Sequence, residues 1–306
     1  MKQNNLIKFL KRGILLSNKK LFVIFILFFG ITNIYAKVNA VVSILPQKTF
    51  LKNIGGDKVN ITLMVKPGNS PATYEPKASQ MKSLSNADIY FTIGVPFDHA
   101  WIDKISAHNR SMKVVFTQKD KNIQRIKKPL DGFKHNHIKN EDAHLDLHIW
   151  VSPKRVKVIA KIMAKSLIEI DPKNKNYYEK NLAKFISKIE KTDKKIKEIL
   201  KDTPNGAKFM VFHPAWGYFA KDYGLKQVAI EKAGKEPKPK VLAKIIKSAR
   251  EDGIKAILTQ PEFSKKGARL IAKELNIQVV SISPLNPKWS KNLIRLATVI
   301  ANKKDN

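Results

Sequence analysis

The sequence predicts an α/β protein with two lobes of parallel β-sheet joined by one long helix. Short runs of β-branched residues alternate with helix-length amphipathic segments in two separate blocks. Between the blocks, apolar residues recur at spacings of three, four and seven positions over 178–200, as on one face of a helix. Proline-containing turns follow several predicted strands, at the sheet edge where parallel sheets bind ligands.

The first block begins near residue 37 and alternates strand and helix patterns. Runs rich in Val and Ile predict strands over 38–45, 59–65, 87–93 and 113–116. Amphipathic segments predict helices over 47–54 and 77–85, with Gly55 and Gly56 forming the turn after the first helix. The polar stretch 117–147 loses this periodicity and is predicted to be a long loop.

A linking helix and a second block follow. Pro153 lies at an early helical position, which predicts a helix over 153–170. The apolar stripe then predicts one helix that ends near Asp202, before a break at Pro204 and Gly206. The second block predicts strands over 208–212, 227–230, 254–259 and 278–283, and helices over 215–223, 240–251, 264–275 and 291–301. The predicted division is therefore an N-terminal lobe 37–170, a linking helix 171–202 and a C-terminal lobe 203–306.

Residues 1–36 have the pattern of a secretory signal peptide. Basic residues precede the apolar run 21–29, and the small residue Ala36 ends the segment. The alternative, a membrane anchor, is less favoured because a spanning helix needs about 20 apolar residues. We therefore expect cleavage before Lys37 and a periplasmic location.

Composition excludes several classes of function. The chain has 306 residues and no cysteine, which rules out disulfide scaffolds, thiolate metal sites and cysteine nucleophiles. Its 58 basic residues against 25 acidic ones give a formal net charge of +33. The lysines are spread through every segment, whereas a nucleic-acid reader concentrates arginines and aromatics on one surface. We therefore expect no nucleic-acid partner.

Five turns carry the candidate functional residues. They are PGNSPATYEP at 67–76, DLHIWVSP at 146–153, FHPAWGYF at 212–219, QPEFS at 260–264 and SPLNPKW at 283–289. With the GVPF…AW segment at 94–101, this ordered set resembles the metal-specific solute-binding proteins of bacterial ABC transporters, the zinc and manganese group called ZnuA- or TroA-like. The resemblance covers the chain from residue 37 onward. It implies two lobes around a rigid helix, one metal ion in the cleft between them and delivery of that ion to a membrane permease.

The resemblance assigns two metal ligands directly, His148 and His213. Ala72 stands where the family commonly has a third histidine, and Ser283 stands where it commonly has a carboxylate. Because two ligands are too few for a tetrahedral site, the remainder must come from elsewhere. Glu75, in the same turn as Ala72, and His144, four residues before His148, are the first candidates. The carboxylates near strand ends of the second block are further ones: Glu231, Glu236 and Glu262.

Imidazole nitrogen favours zinc over manganese, so zinc is the expected ion and manganese the alternative. His135, His137 and His144 lie beside acidic residues in the predicted loop, which is either a metal-collecting segment or an ordinary solvated loop. The aromatics after His213 are Trp216, Tyr218 and Phe219, and their spacing favours core packing.

Three functions remain open from the sequence. The first is a zinc receptor for an ABC importer, acting as a monomer and not an enzyme. The second is an exported zinc-dependent hydrolase, although no HExxH pair or nucleophile elbow accompanies the histidines. The third is a metal-binding adhesin, which the basic surface permits.

Overall fold

Two four-stranded parallel sheets form the framework of the computed structural model, which describes residues 37–127, 145–231, 237–263 and 266–303. The first sheet has the order β2-β1-β3-β4 and the second β6-β5-β7-β8. The strands are β1 (Val38–Val42), β2 (Val59–Leu63), β3 (Ile89–Thr92), β4 (Lys113–Phe116), β5 (Lys208–Val211), β6 (Lys226–Ala229), β7 (Ala256–Thr259) and β8 (Gln278–Ser281). The predicted fold class is confirmed.

Helices connect these strands. Those of the first block are α1 (Leu45–Gly55), α2 (Ala78–Ser83), α3 (Pro96–His108) and α4 (Pro153–Ile170). The long helix is α5 (Lys175–Leu200), followed by α6 (Gly217–Asp222), α7 (Pro239–Glu251), α8 (Lys266–Leu275) and α9 (Trp289–Ile300). Short 3-10 turns cover Thr117–Lys119, Ile149–Val151 and Pro172–Asn174. Among the described residues, no helix combines the length and the apolarity needed to cross a membrane.

Both sheets share one strand order, although the two halves of the sequence show no repeat. In each sheet the chain first runs to one side of its opening strand and then crosses to the other side. This reversal creates a crevice at the carboxyl ends of β1 and β3, and another at those of β5 and β7. Residues that follow these four strands are therefore placed at the ligand-binding edge of the sheets.

Helix α5 packs against helices from both halves of the chain. The buried side of α5 carries the predicted stripe (Tyr178, Phe185, Ile189, Ile196, Leu200). It contacts α1 and α4 of the first block and α9 of the second. The Phe50 ring of α1 lies 5.8 Å from Phe185 and 5.6 Å, edge to face, from Trp289 of α9. At 1.5 Å per residue, α5 is about 39 Å long and supports both sheets.

The structure adds one helix that the pattern analysis did not identify. Helix α3 begins at Pro96 within the segment noted only as GVPF…AW. Its start is fixed by the buried Asp98, whose Oδ2 accepts the backbone N–H groups of Ile93 (2.9 Å), Gly94 (2.9 Å) and Val95 (3.2 Å). Burial raises the pKa of Asp98. Polar and apolar residues mix on α3, so its periodicity is weak in the sequence.

Several strands end earlier than predicted. β1 stops at Val42 rather than continuing to residue 45. The reason is that the Gln47 side chain accepts hydrogen bonds from the backbone N–H groups of Ser43 (3.0 Å) and Ile44 (3.2 Å). β8 stops at Ser281 rather than residue 283. The proposed signal peptide 1–36 and the loop histidines His135 and His137 lie outside the described residues.

Candidate metal centre

His148 enters the site from the turn before α4. Its backbone N–H donates to Asp146 Oδ1 at 2.9 Å, and its ring Nδ1 lies 2.8 Å from the same oxygen. The His148 ring also lies 5.1 Å from the Trp150 ring, and Trp150 is buried. The Asp146 carboxylate and the Trp150 indole therefore both hold His148 in place.

Asp146 is itself held in place by neighbouring groups. The Tyr218 hydroxyl donates to the Asp146 carbonyl at 2.9 Å, and the Asp146 N–H donates to the Ile126 carbonyl at 2.9 Å. Gly217 packs so closely on Asp146 Oδ2 that a Cβ at position 217 would collide with it. Trp216, Tyr218 and Phe219 are fully buried, which confirms their predicted packing role.

His213 follows β5, the strand at the crevice of the second sheet. Its Nδ1 lies 2.7 Å from Glu231 Oε1, next to the end of β6. The Gln260 side chain, after β7, receives the His213 N–H at 3.3 Å and donates to the His213 carbonyl at 3.0 Å. Phe263 stacks on the His213 ring at 4.5 Å with an interplanar angle of 19°. Three neighbouring strands therefore fix one imidazole.

The two histidine rings lie together, although they come from opposite halves of the chain. Their centroids are 5.3 Å apart at an angle of 73°. Two imidazoles that bind one tetrahedral zinc ion through nitrogens at 2.0–2.1 Å have ring centres about 5 Å apart. The observed separation therefore fits two ligands of one ion.

The hydrogen bonds show which nitrogen of each ring contacts a carboxylate, namely Nδ1. Asp146 and Glu231 are both about 4% exposed at the side chain, while the two histidines are 20% and 25% exposed. An ionised carboxylate only accepts hydrogen bonds, so each Nδ1 carries the proton that it donates. Metal coordination by either ring must therefore use Nε2, the arrangement that carboxylate–histidine pairs impose at zinc sites.

A cleft lies between the two halves of the molecule, and neither His148 nor His213 is among the residues that line it. It has a volume of about 240 Å³. The turn after β2 lines one wall through Val65–Gly68, and the turns after β7 and β8 line the other through Glu262, Ser283 and Leu285–Pro287. The cleft is therefore formed by the strand-end turns that the sequence singled out.

Of the other candidate ligands, Glu231 reaches His213 but contacts its Nδ1. Glu75 is exposed in the turn after β2, and Ala72 in the same turn is exposed as well. His144 and Glu236 lie outside the described residues. In the part of the chain that the structure describes, no group of three or more His, Asp or Glu side chains has a geometry that could hold a metal ion. Glu75 and His144 therefore stay predictions.

Sequence reasoning missed the residues that hold the histidines. In the sequence, Asp146 is only the first residue of the turn 146–153, and Glu231 only a candidate ligand. A carboxylate two residues before a histidine was the available signal for Asp146, because Asp side chains often bond the backbone two positions on. Phe263 and Gly217 gave no such signal, since their roles depend on tertiary contacts.

Two known proteins are similar to this chain in sequence. "High-affinity zinc uptake system protein ZnuA" of Bacillus subtilis (strain 168) is 29% identical over 257 residues, which is 81% of this chain and 79% of that protein. "Zinc-binding protein AdcA" of Streptococcus pyogenes serotype M3 is 28% identical over 271 residues, covering 84% of this chain. The aligned region is 52% of AdcA, so the chain spans about half the length of that relative.

Solved structures give the same result. The structure titled "Crystal structure of ZnuA" is 38% identical, with a TM-score of 0.79 over 87% of this chain and 99% of that chain. A zinc-bound ZnuA deletion mutant is also 38% identical, with a TM-score of 0.78 over 88% of this chain and 100% of that one.

The family model described as "Zinc-uptake complex component A periplasmic" matches residues 40–302. This match confirms the resemblance inferred from the strand-end turns. It also identifies a family of transport components rather than enzymes, as the sequence predicted. The chain belongs to the ZnuA family, component A of zinc-uptake complexes.

Proposed function

We propose that this protein is a receptor that captures Zn²⁺ outside the cytoplasm and delivers it to the permease of an ABC-type importer. The observation that carries the proposal is the pair of imidazoles 5.3 Å apart, each oriented by a buried carboxylate. Capture requires only that the pair and its completing ligands surround the ion. Release requires that these ligands move away from the ion. Neither capture nor release breaks a covalent bond.

Within this proposal, His148 and His213 bind zinc through Nε2. Glu75 and His144 are the proposed completing ligands from the sequence. The turn that holds Glu75 begins with Lys66–Gly68, which already border the cleft. Movement of the exposed part of this turn toward the histidine pair would carry Glu75 to the ion. His144 would approach from the chain segment that leads into Asp146 and His148.

The chemistry of the pair supports zinc over manganese. Neutral imidazole nitrogen is a borderline donor that suits Zn²⁺, whereas Mn²⁺ prefers carboxylate and carbonyl oxygen. The two buried carboxylates bond to Nδ1 of the histidines and so are not arranged as oxygen ligands of the same ion. Manganese is the alternative cargo.

The proposal includes the setting of the receptor. Residues 1–36 act as a cleavable export signal, and the chain from Lys37 onward works in the periplasm as a monomer. Its N-terminal lobe 37–170 and C-terminal lobe 203–306 are joined by the linking helix 171–202. The partner is a membrane permease, and the ion is the only small ligand required.

Growth under zinc limitation tests the transport role. A strain lacking the gene should fail to grow in the presence of a zinc chelator, and added zinc or the parent gene should restore growth. A gene carrying His148→Ala and His213→Ala together should not restore growth, although the protein accumulates normally. Growth of the deletion strain that is insensitive to chelation would contradict the proposal. Zinc-dependent hydrolysis by the purified protein would favour the hydrolase instead.

A further inference from the structure

Two buried carboxylates contact the histidine pair, and a third, Glu262, is half-buried in the turn after β7. Asp146 and Glu231 each use an oxygen to hold an imidazole Nδ1. Nδ1 and Nε2 point away from the ring in different directions, so neither of these carboxylates reaches the ion that Nε2 binds while it keeps this bond. Glu262 has no such bond to a histidine and is therefore available for another role.

Glu262 is fixed close to His213 by its neighbours on both sides. Gln260, two residues earlier, makes two hydrogen bonds to the His213 backbone. Phe263, the next residue, stacks on the His213 ring at 4.5 Å. The turn after β7 thus carries the Glu262 backbone alongside this imidazole, at the crevice between β5 and β7.

The two oxygens of Glu262 have different surroundings. Oε1 accepts the Ser283 hydroxyl at 2.6 Å. Ser283 Oγ in turn accepts the Leu285 N–H at 3.0 Å, which directs the hydroxyl hydrogen toward Glu262. Oε2 is buried and has no hydrogen-bond partner among the described residues. A carboxylate oxygen withdrawn from water without a donor is costly, and a bound cation would remove that cost.

Glu262 and Ser283 also line the same wall of the cleft. Two histidines leave a tetrahedral zinc ion short of ligands, and a carboxylate oxygen at 2.0–2.2 Å is an ordinary third ligand, here in place of Glu75 or His144. We propose that Glu262 supplies a carboxylate ligand to the zinc ion bound by His148 and His213, with Ser283 orienting it. This inference rests on the proposed function. Because the three side chains do not surround one point in the structure, the assignment includes rotation of the Glu262 side chain toward His213 on binding.

Calorimetric zinc titration of the full-length, metal-free protein tests the assignment. Glu262→Gln keeps the size of the side chain and removes its charge. It should weaken zinc binding by more than the roughly 10- to 100-fold typical of losing an outer partner of a ligand. Ser283→Ala should weaken binding less, because the ligand remains. Glu251→Gln, the same change at an exposed position at the end of α7, should bind like the parent.

A rescue experiment separates a ligand from a merely structural residue. Ser283 Oγ is 2.6 Å from Glu262 Oε1, so a carboxylate introduced at 283 occupies the adjacent space. Ser283→Asp combined with Glu262→Gln should recover much of the lost affinity. In the cobalt-substituted protein, Glu262→Gln alone should change the visible absorption bands of Co²⁺, which report its ligand set.

The outcomes distinguish this inference from the proposed function. If Glu262→Gln binds zinc like Glu251→Gln while His213→Ala loses binding, the assignment of Glu262 is wrong and the receptor role stands. Loss of binding without rescue and without a change in the cobalt spectrum would also overturn it, because that pattern indicates a structural role. If the parent binds no zinc, both proposals fail.

Discussion

At the scale of single residues, the centre depends as much on buried carboxylates as on the histidines. Asp146 and Glu231 each fix one ring and one tautomer. Such partners raise the basicity of the coordinating nitrogen and remove the rotational freedom of the ring. The sequence identified His148 and His213 but not their dependence on these two carboxylates, because Glu231 is 18 residues from His213 and reaches it only across the sheet.

Replacing Asp146 tests this dependence. Asp146→Asn should weaken zinc binding by about 10- to 100-fold, since an amide orients the ring but supplies no negative charge to its Nδ1–H. Zinc titration of the purified variant measures the effect. Asp103→Asn, the same change at an exposed position of α3, is the matched control and should leave the affinity unchanged. Equal affinities for the two variants would show that Asp146 has no part in metal binding.

At the scale of elements, a buried ion pair joins α4 to α6. Arg155 and Asp222 lie 2.9 Å apart, and each is about 5% exposed at the side chain. The Arg155 guanidinium also lies 4.4 Å from the centre of the Tyr218 ring and donates to the Gln124 carbonyl at 3.0 Å. Tyr218 also donates to the Asp146 carbonyl, so the ion pair is connected through Tyr218 to the turn that carries His148.

Breaking the Arg155–Asp222 ion pair should lower the stability of the protein. Asp222→Asn leaves the Arg155 charge buried without its partner, and we expect the free energy of unfolding to fall by about 3–5 kcal/mol. Chemical denaturation of the metal-free protein measures it. The control is Glu198→Gln, which breaks the exposed pair with Lys195 and should change stability by less than about 1 kcal/mol. Equally small changes in the free energy of unfolding of the two variants would show that the Arg155–Asp222 pair does not stabilise the fold.

The elements themselves were largely predictable from pattern. The stripe on α5 and the β-branched runs of both sheets follow simple periodicities, and both predictions hold in the structure. Helix α3 was not predicted, because its start depends on Asp98 accepting three backbone N–H groups. The end of β1 was placed too late because the Gln47 side chain accepts the backbone N–H groups of Ser43 and Ile44.

At the scale of the whole molecule, two sheets with one topology face each other across a cleft and share a continuous core. Trp150 donates its indole N–H to the Pro284 carbonyl at 2.9 Å, and Trp289 donates to the Trp150 carbonyl at 2.7 Å. These bonds connect the turn after His148 to the turn after β8. Contacts of this kind between the two halves of the chain bring the two imidazoles together.

The pairing of His148 with His213 could be anticipated only in part. The resemblance to the solute-binding family assigns both residues as metal ligands. The distance between the rings depends on contacts such as those of Phe50, Phe185 and Trp289, which join segments far apart in sequence. The position of Glu75 was not predictable either, because no local sequence pattern fixes the conformation of an exposed turn.

The central claim is that the protein binds one zinc ion through His148 and His213. Calorimetric titration of the metal-free protein with zinc, repeated in excess manganese, tests it most directly. The account predicts tight binding of one zinc ion per chain that manganese does not displace, and loss of that binding in His213→Ala. Absence of tight zinc binding, or unchanged binding in His213→Ala, would contradict the account.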